Sequence, residues 1–293
     1  MMSDSPLSFH LERGSIQSGD IPLAFQSVLP EDPKALLIIV HGISEHKGRY
    51  LCLQNDLASA GFGSYAYDQR GFGHSGGKRG HVDRYSDYLH DIKAVITFVR
   101  LSHPSAKVFL IGHSLGGLIS ATFCVDFPHE ADGLVLSAPA FDVLVLPWAL
   151  EKLVRLLNCL LPTLPMHYPS LDGKKSHDPE VDIAFNKDQF VQTKATPRFY
   201  VEFRKMNDYL RSSVGKIIIP TLILQGRADR IVRPEGAQTI FDHLKIIEKR
   251  LVWYEGFFHE IFNEVGRERV ISDLVTWLKG TIDGVSEETV VSD

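Results

Sequence analysis

Cysteine is nearly absent: three residues (Cys52, Cys124 and Cys159) among 293. They are too few and too scattered for a disulfide framework, and none has a second cysteine at metal-ligand spacing. They read as small buried hydrophobes of a reducing compartment. A second absence is an apolar run of the roughly 18 residues that a membrane-spanning helix needs. The most leucine-rich stretch, LPWALEKLVRLLNCLLPTLP at 146 to 165, is broken by Glu151, Lys152 and Arg155 and carries prolines at both ends. A basic block is also missing: 31 Lys and Arg against 36 Asp and Glu give a net charge of −5. That balance excludes a polyanionic partner, so no nucleic acid is expected. The opening MMSDSPLSFH has no positive n-region and no apolar h-region, so export is not expected. The expected location is cytoplasmic, or peripheral at a membrane. There is no internal repeat, and 44% hydrophobic with 23% charged residues is an ordinary globular composition. This length suits one large domain with an insertion.

Six short apolar runs are present: ALLIIV (35 to 40), FGSYAY (62 to 67), KVFLIG (107 to 112), GLVLSA (133 to 138), IIIPTLIL (217 to 224) and KRLVWY (249 to 254). Continuous rather than alternating hydrophobicity fits strands buried on both faces of a parallel sheet. Between them lie helix-length periodic segments, including YLCLQNDLASAG, YSDYLHDIKAVITFVRLSH, LGGLISATFCVDF and PEGAQTIFDHL. The alternation predicts a doubly wound α/β sheet. Residues 8 to 29 hold two β-like pieces around QSGD, an antiparallel hairpin at the sheet edge. From Phe141 to about Gly215 no strand is evident, too long a gap for a connecting loop. The expected organisation is therefore a core of 1–140 and 216–293 carrying a helical cap at 141–215. The polar, acidic ending TIDGVSEETVVSD is expected to fray.

The sharpest chemical signal is FLIGHSLGG, in which Gly112-His113-Ser114-Leu115-Gly116 follows a strand and opens a helix. A serine on such a strained turn needs small neighbours, and its hydroxyl stands exposed at the strand end. The N–H of Leu115, at the helix start, points where an oxyanion would form. The hydroxyl needs a base, and the base needs a carboxylate to fix its tautomer; both should follow later strands in the order Ser, Asp, His. Asp229 lies just past the strand in TLILQGRADR, and His259 lies in the loop after LVWYEG. The rival acid is Asp142, after the strand in GLVLSAPAFD, which serves equally well as a helix cap. A second oxyanion donor belongs in the loop after the first long strand, and the N–H of Ile43 in VHGISEHKGRY is the candidate.

Two motifs imitate other chemistries. His41, Glu45 and His46 cluster, but without the i, i+4 histidine pair of a zinc helix, and Gly42 is a poor helix residue. GFGHSG at 71 to 76 satisfies G-x-G-x-x-G, with Asp91 about twenty residues beyond. Yet GKRGHVDR does not open a helix, and Asp91 falls inside a helical pattern. Neither a metal nor a nucleotide is expected.

Taken in order, VHGISEHKGRY, AYDQRGFGHSGG, GHSLGG, SHDPEV, LILQGRADRIVRPEGAQ and HEIFNE resemble the monoacylglycerol lipase and lysophospholipase branch of the α/β-hydrolases, also described as serine-aminopeptidase-like hydrolases. The resemblance runs from about residue 20 to 278 and is weakest in the insertion. It implies an α/β-hydrolase fold with a mostly parallel sheet, flanking helices and a helical cap. It also implies Ser114 as nucleophile, Asp229 and His259 as its partners, and the N–H groups of Ile43 and Leu115 as oxyanion hole; a triad of this kind requires no metal or organic cofactor. The second residue after the first His-Gly pair is often glycine in that family; here it is Ser44, a change that narrows or polarises the pocket wall.

The expected activity is hydrolysis of a lipid ester, a monoacylglycerol or a lysophospholipid. The alternatives are a short-ester, thioester or aminopeptidase-like activity on the same triad, and a non-catalytic binding protein. Residues 146 to 215 hold ten Lys and Arg against eight Asp and Glu, too even to select a head group. Drawn as a helix, the leucine-rich stretch gathers Glu151, Lys152, Arg155 and Asn158 on one narrow face. Its leucines, Leu150, Leu153 and Leu157 among them, cover the remainder. Such an arc either packs wholly inside the cap or lines an acyl-chain tunnel and touches a membrane surface.

Overall fold

The structure is a computed structural model that describes residues 9–141 and 146–284. Eight strands form one sheet: β1 (His10–Ser18), β2 (Ile21–Leu29), β3 (Leu36–Val40), β4 (Gly63–Tyr67), β5 (Val108–His113), β6 (Gly133–Ser137), β9 (Thr221–Gly226) and β10 (Lys249–Tyr254). Their spatial order is β1-β2-β4-β3-β5-β6-β9-β10, with the first two pairings antiparallel and the rest parallel. The N-terminal hairpin is thus at the edge, as its QSGD turn predicts, and Gly19 in that turn takes φ 58°.

Side-chain alternation explains why the strands are apolar throughout. Leu36, Ile38 and Val40 of β3 face one core layer, and Leu37 and Ile39 face the other. The first layer is filled by α2 (Ser86–Ser102), α3 (Leu115–Asp126) and α7 (Glu235–His243), the second by α1 (Leu51–Ser59) and α8 (Glu268–Asp283). Each strand residue of β3 is at most 1% exposed, so both faces are dry. α3 is buried from Leu115 to Val125 and shows no polar face because it has no solvent side.

Four readings of the sequence are corrected, the fourth being the absence of strands between Phe141 and Gly215. The run IIIPTLIL becomes a strand only at Thr221, because Pro220 has no N–H for the ladder; its carbonyl accepts from Leu134 N at 2.9 Å. Cys52 and Cys159 are exposed, and only Cys124 is the buried hydrophobe expected of all three. Of the ending expected to fray, Thr281–Asp283 still belong to α8, which stops at Gly284 in a left-handed cap (φ 71°), and 285–293 lie outside the described residues.

Between β6 and β9 lie α4 (Trp148–Leu160), α5 (Pro179–Lys187) and α6 (Pro197–Ser213). The starts of α5 and α6 are local and legible: Asp178 and Thr196 cap them, accepting from Glu180 N and Phe199 N, and each is followed by proline at the first helical position. This segment also holds a two-stranded ribbon, β7 (Met166–His167) with β8 (Lys194–Ala195), that no apolar run announced. Among the described residues no helix is long and apolar enough to cross a membrane.

Candidate active site

The site lies at the C-terminal ends of β3, β5, β9 and β10, where loops of a parallel sheet converge. Ser114 sits between β5 and α3 with φ 52° and ψ −116°, a region that non-glycine residues seldom occupy. The turn survives because its neighbours are small. A Cβ on Gly112 would lie 2.4 Å from the Gly116 carbonyl oxygen, and one on Gly116 would lie 2.0 Å from the Val40 oxygen. The Ser114 backbone is fixed on both sides: its N–H donates to the Ser137 oxygen, and its own carbonyl accepts from Gly117 and Ala140, each at 2.9 Å. Gly116→Ala should therefore force α3 off β3, costing about 3 kcal/mol and lowering Tm by roughly 5–10 °C. Gly19→Ala, with nothing within 4 Å, should lose only the left-handed backbone preference, about 1 kcal/mol. Equal melting temperatures for the two variants would contradict this packing argument.

His259 and Asp229 come together from loops 30 residues apart: Nδ1 of the histidine lies 2.7 Å from Oδ2 of the carboxylate. Asp229 is held in turn, its Oδ1 accepting from Ile231 N (2.8 Å) and Val232 N (3.0 Å), its Oδ2 from the Gln225 amide (3.1 Å). Burial pushes the Asp229 carboxyl up, but His259 and those two backbone donors outweigh it and hold it below the usual range. Burial alone would lower His259; the charge and hydrogen bond of Asp229 reverse that and raise it. His113 packs against the His259 ring with centroids 4.8 Å apart. Burial first, and the neighbouring His259 second, bring His113 down to about 4, so it stays neutral at pH 7.

Ser114 and His259 line one cavity with Gly42, Ile43, Glu45, His113, Ile231 and Glu260 from the sheet side. Leu171, Lys175 and Phe185 roof it from the segment between β7 and β8. Ile43 is thus at the site, and Leu115 follows Ser114 as the first residue of α3. The cavity is small, about 20 Å³, and partly open to solvent; it holds a water molecule, and a long acyl chain does not fit within it as it stands.

Leu150, Leu153 and Leu157 are not among the lining residues. Leu150 and Leu153 are 40% and 48% exposed, and Leu157 is half-buried. α4 lies against α6 with its polar residues partly turned inward: Asn158 accepts from Arg198 Nε at 2.7 Å, and of the helix only Val154 is buried. Arg198 of α6 engages Asn158 on the narrow polar face, and Leu150, Leu153, Leu156 and Leu160 are left outside.

Residues that the sequence offered only as a metal imitation tie the site's loops together. Glu45 Oε2 accepts from Gly42 N (2.9 Å) and the Tyr50 hydroxyl (2.7 Å), while Oε1 accepts from Arg49 Nε (3.1 Å). Arg49 Nη2 then donates to Glu260, next to His259, at 2.7 Å. Burial raises Glu45, but His113, Arg49 and the Tyr50 hydroxyl more than offset it and keep the carboxyl ionised. Burial dominates at Glu260 and raises it despite Arg49. His41 is occupied structurally, its Nε2 accepting from Gln69 N at 2.9 Å. Asp91 lies inside α2 and receives a two-pronged bond from Arg70, both contacts 2.6 Å. Asp142, the rival acid, lies outside the described residues.

A mostly parallel sheet wound by helices on both faces, with a serine elbow after β5 and loops from β9 and β10 meeting it, places the molecule among the α/β-hydrolases. The chain belongs to the family described as serine aminopeptidase, S33, whose model matches residues 31–266. It is 29% identical over 264 residues to the monoacylglycerol lipase of Mycolicibacterium smegmatis, covering 89% of this chain and 94% of that protein. It is 30% identical over 238 residues to human monoglyceride lipase, covering 80% and 78%. The crystal structure of Paleococcus ferrophilus monoacylglycerol lipase superposes with TM-score 0.79 at 29% identity, over 93% of this chain and 99% of that one.

Proposed function

We propose that the protein is a serine hydrolase of lipid carboxylic esters, a monoacylglycerol or a lysophospholipid, acting through an acyl-enzyme on Ser114. The carrying observation is that His259, held 2.7 Å from Asp229, opens on the same cavity as the strained Ser114. Asp229 keeps the His259 proton on Nδ1, leaving Nε2 free to accept the Ser114 proton as the hydroxyl attacks the ester carbonyl. The N–H groups of Ile43 and Leu115 receive the oxyanion. His259 returns the proton to the departing alcohol, and water then releases the fatty acid by the same steps in reverse roles. No metal or organic cofactor enters the cycle. In this reading 1–140 and 216–293 form the core, and 141–215 form the cap that decides what reaches Ser114.

The lipid assignment rests on what the relatives are called and on the outward leucines of α4. Trp148, Leu150, Leu153, Leu156 and Leu160 are 40 to 73% exposed on one short helix, an apolar surface suited to a membrane interface. Exchanging Leu153, Leu156 and Leu160 for serine should reduce partition onto phosphatidylcholine vesicles tenfold or more, since each buried leucine contributes about 1.5–3 kcal/mol. Hydrolysis of p-nitrophenyl acetate should be untouched. Unchanged vesicle binding would remove the membrane role of α4.

A peptidase reading requires a free carboxylate for the substrate amine. The lining carboxylates, Glu45 and Glu260, share Arg49, and the cap supplies the cation Lys175, itself paired with Asp182 at 2.5 Å. Ester hydrolysis is therefore preferred, and an aminoacyl-p-nitroanilide should not be cleaved.

A further inference from the structure

Ser44 holds a backbone conformation that is costly for any residue with a side chain. Its φ is 73°, in the left-handed region where a side chain is disfavoured, and it is fully buried. A residue keeps such a conformation when its surroundings over-determine it. Here the surroundings are the cap. The Tyr168 hydroxyl donates to the Gln192 carbonyl. Having spent its proton there, Tyr168 can only accept from the Ser44 hydroxyl, which lies within hydrogen-bond contact. Gln192 N in turn donates to the Ser44 carbonyl at 3.0 Å. The three bonds close a ring whose donors and acceptors all agree. Burial raises the Tyr168 hydroxyl to about 12, so the relay keeps its proton.

The ring's place in the chain gives it consequence. Ser44 directly follows Ile43, at the edge of the cavity. Tyr168 and Gln192 stand at the two ends of the segment that carries Leu171, Lys175 and Phe185, the three residues roofing Ser114. The opposite edge of the roof is tied to residues just past His259: Glu260 N donates to the Lys175 carbonyl at 2.7 Å, and Ser176 Oγ donates to the Asn263 carbonyl at 3.0 Å. The roof is therefore pinned along two edges over a small, partly open cavity of about 20 Å³.

We propose that Ser44 and Tyr168 form a hydroxyl latch that holds the cap segment 168–192 against the oxyanion loop and sets the protein's selectivity for acyl length. A small acyl group needs little displacement of the roof. A long one must lift the edge that the latch pins, so each long-chain turnover includes breaking the ring. The latch is a positioning device and touches no reacting atom. This inference rests on the serine-hydrolase reading above.

The test compares kcat/KM for p-nitrophenyl laurate and p-nitrophenyl acetate in the full chain, with Tyr168→Phe, Ser44→Gly and their double variant. Tyr168→Phe removes one hydroxyl and keeps the ring's packing. Ser44→Gly removes the hydroxyl from a backbone that glycine adopts without strain. The expected result is a laurate-to-acetate ratio raised about 3- to 10-fold in either variant, the factor of one neutral hydrogen bond. For Tyr168→Phe the acetate value should move by less than twofold. The double variant should add little to Tyr168→Phe, since both act on one ring. An unchanged ratio overturns the latch, and so does a parallel fall for both esters, which is the signature of general damage to the site. Ser114→Ala runs in the same assay. If it hydrolyses both esters like the wild type, the serine reading fails and takes the latch with it; if it is inactive while the ratio stays flat, the latch alone fails.

Discussion

Ser114→Ala should lower hydrolysis of a monoacylglycerol by about 10⁴-fold or more and abolish labelling by a fluorophosphonate probe. The size of the effect follows from the nature of the step. The Ser114 hydroxyl is the group proposed to carry the acyl chain, and what remains without it is binding and oxyanion stabilisation. The substitution keeps Cβ, and the turn at φ 52° is as strained for alanine as for serine, so stability should stay within about 0.5 kcal/mol. That separation matters for interpretation, because an inactive variant with the wild-type Tm isolates chemistry from folding. Retained labelling would show that another nucleophile reacts and would end the proposal. A non-catalytic binding protein on the same fold would give no labelling in the wild type either.

How much of this was legible beforehand depended on the range over which each feature is encoded. The strands were legible because residues buried on both faces leave a continuous apolar run, and β9 was misjudged only at its start, where Pro220 interrupts the ladder. The elbow was legible because its geometry is set by five adjacent residues, with Gly112 and Gly116 forced small by contacts 2.4 and 2.0 Å away. That Asp229 and His259 would meet followed from topology, since loops after parallel strands share one edge of the sheet. The Arg49–Glu260 bond was not legible, because it joins residues 211 apart and nothing local marks either partner. The same limit hid the Ser44–Tyr168–Gln192 ring: the sequence showed the odd serine, but not the tyrosine that engages it 124 residues later. The leucine helix was legible only in part. Periodicity sorts residues onto faces but does not say which way a face points, and here Arg198 of α6 draws Asn158 inward and leaves Leu153 and Leu160 outside.

Asp229→Asn should cost about 10³- to 10⁴-fold in kcat and also displace the pH profile in a determined direction. The amide oxygen can keep the bonds from Ile231 N and Val232 N, which leaves its NH₂ facing His259 Nδ1 and the Gln225 amide. Nδ1 must then accept, the imidazole proton moves to Nε2, and the base can no longer take a proton from Ser114. The pH shift has its own sign. Burial lowers the His259 pKa, and in the wild type Asp229 more than offsets this and raises it. The wild-type acid limb of kcat/KM should therefore lie above the ordinary histidine value, with activity lost as pH falls through it. Without the Asp229 charge the largest opposition to burial is gone and only Glu260 and Glu45 still act against it, so the limb of the residual activity should move to lower pH. Loss of rate with an unmoved acid limb would mean that Asp229 does not set the charge of His259. Asp142→Asn supplies the comparison: with Asp229 as the partner it should change kcat by less than a few-fold. A large loss there, with Asp229→Asn nearly active, would transfer the role to the acid after β6.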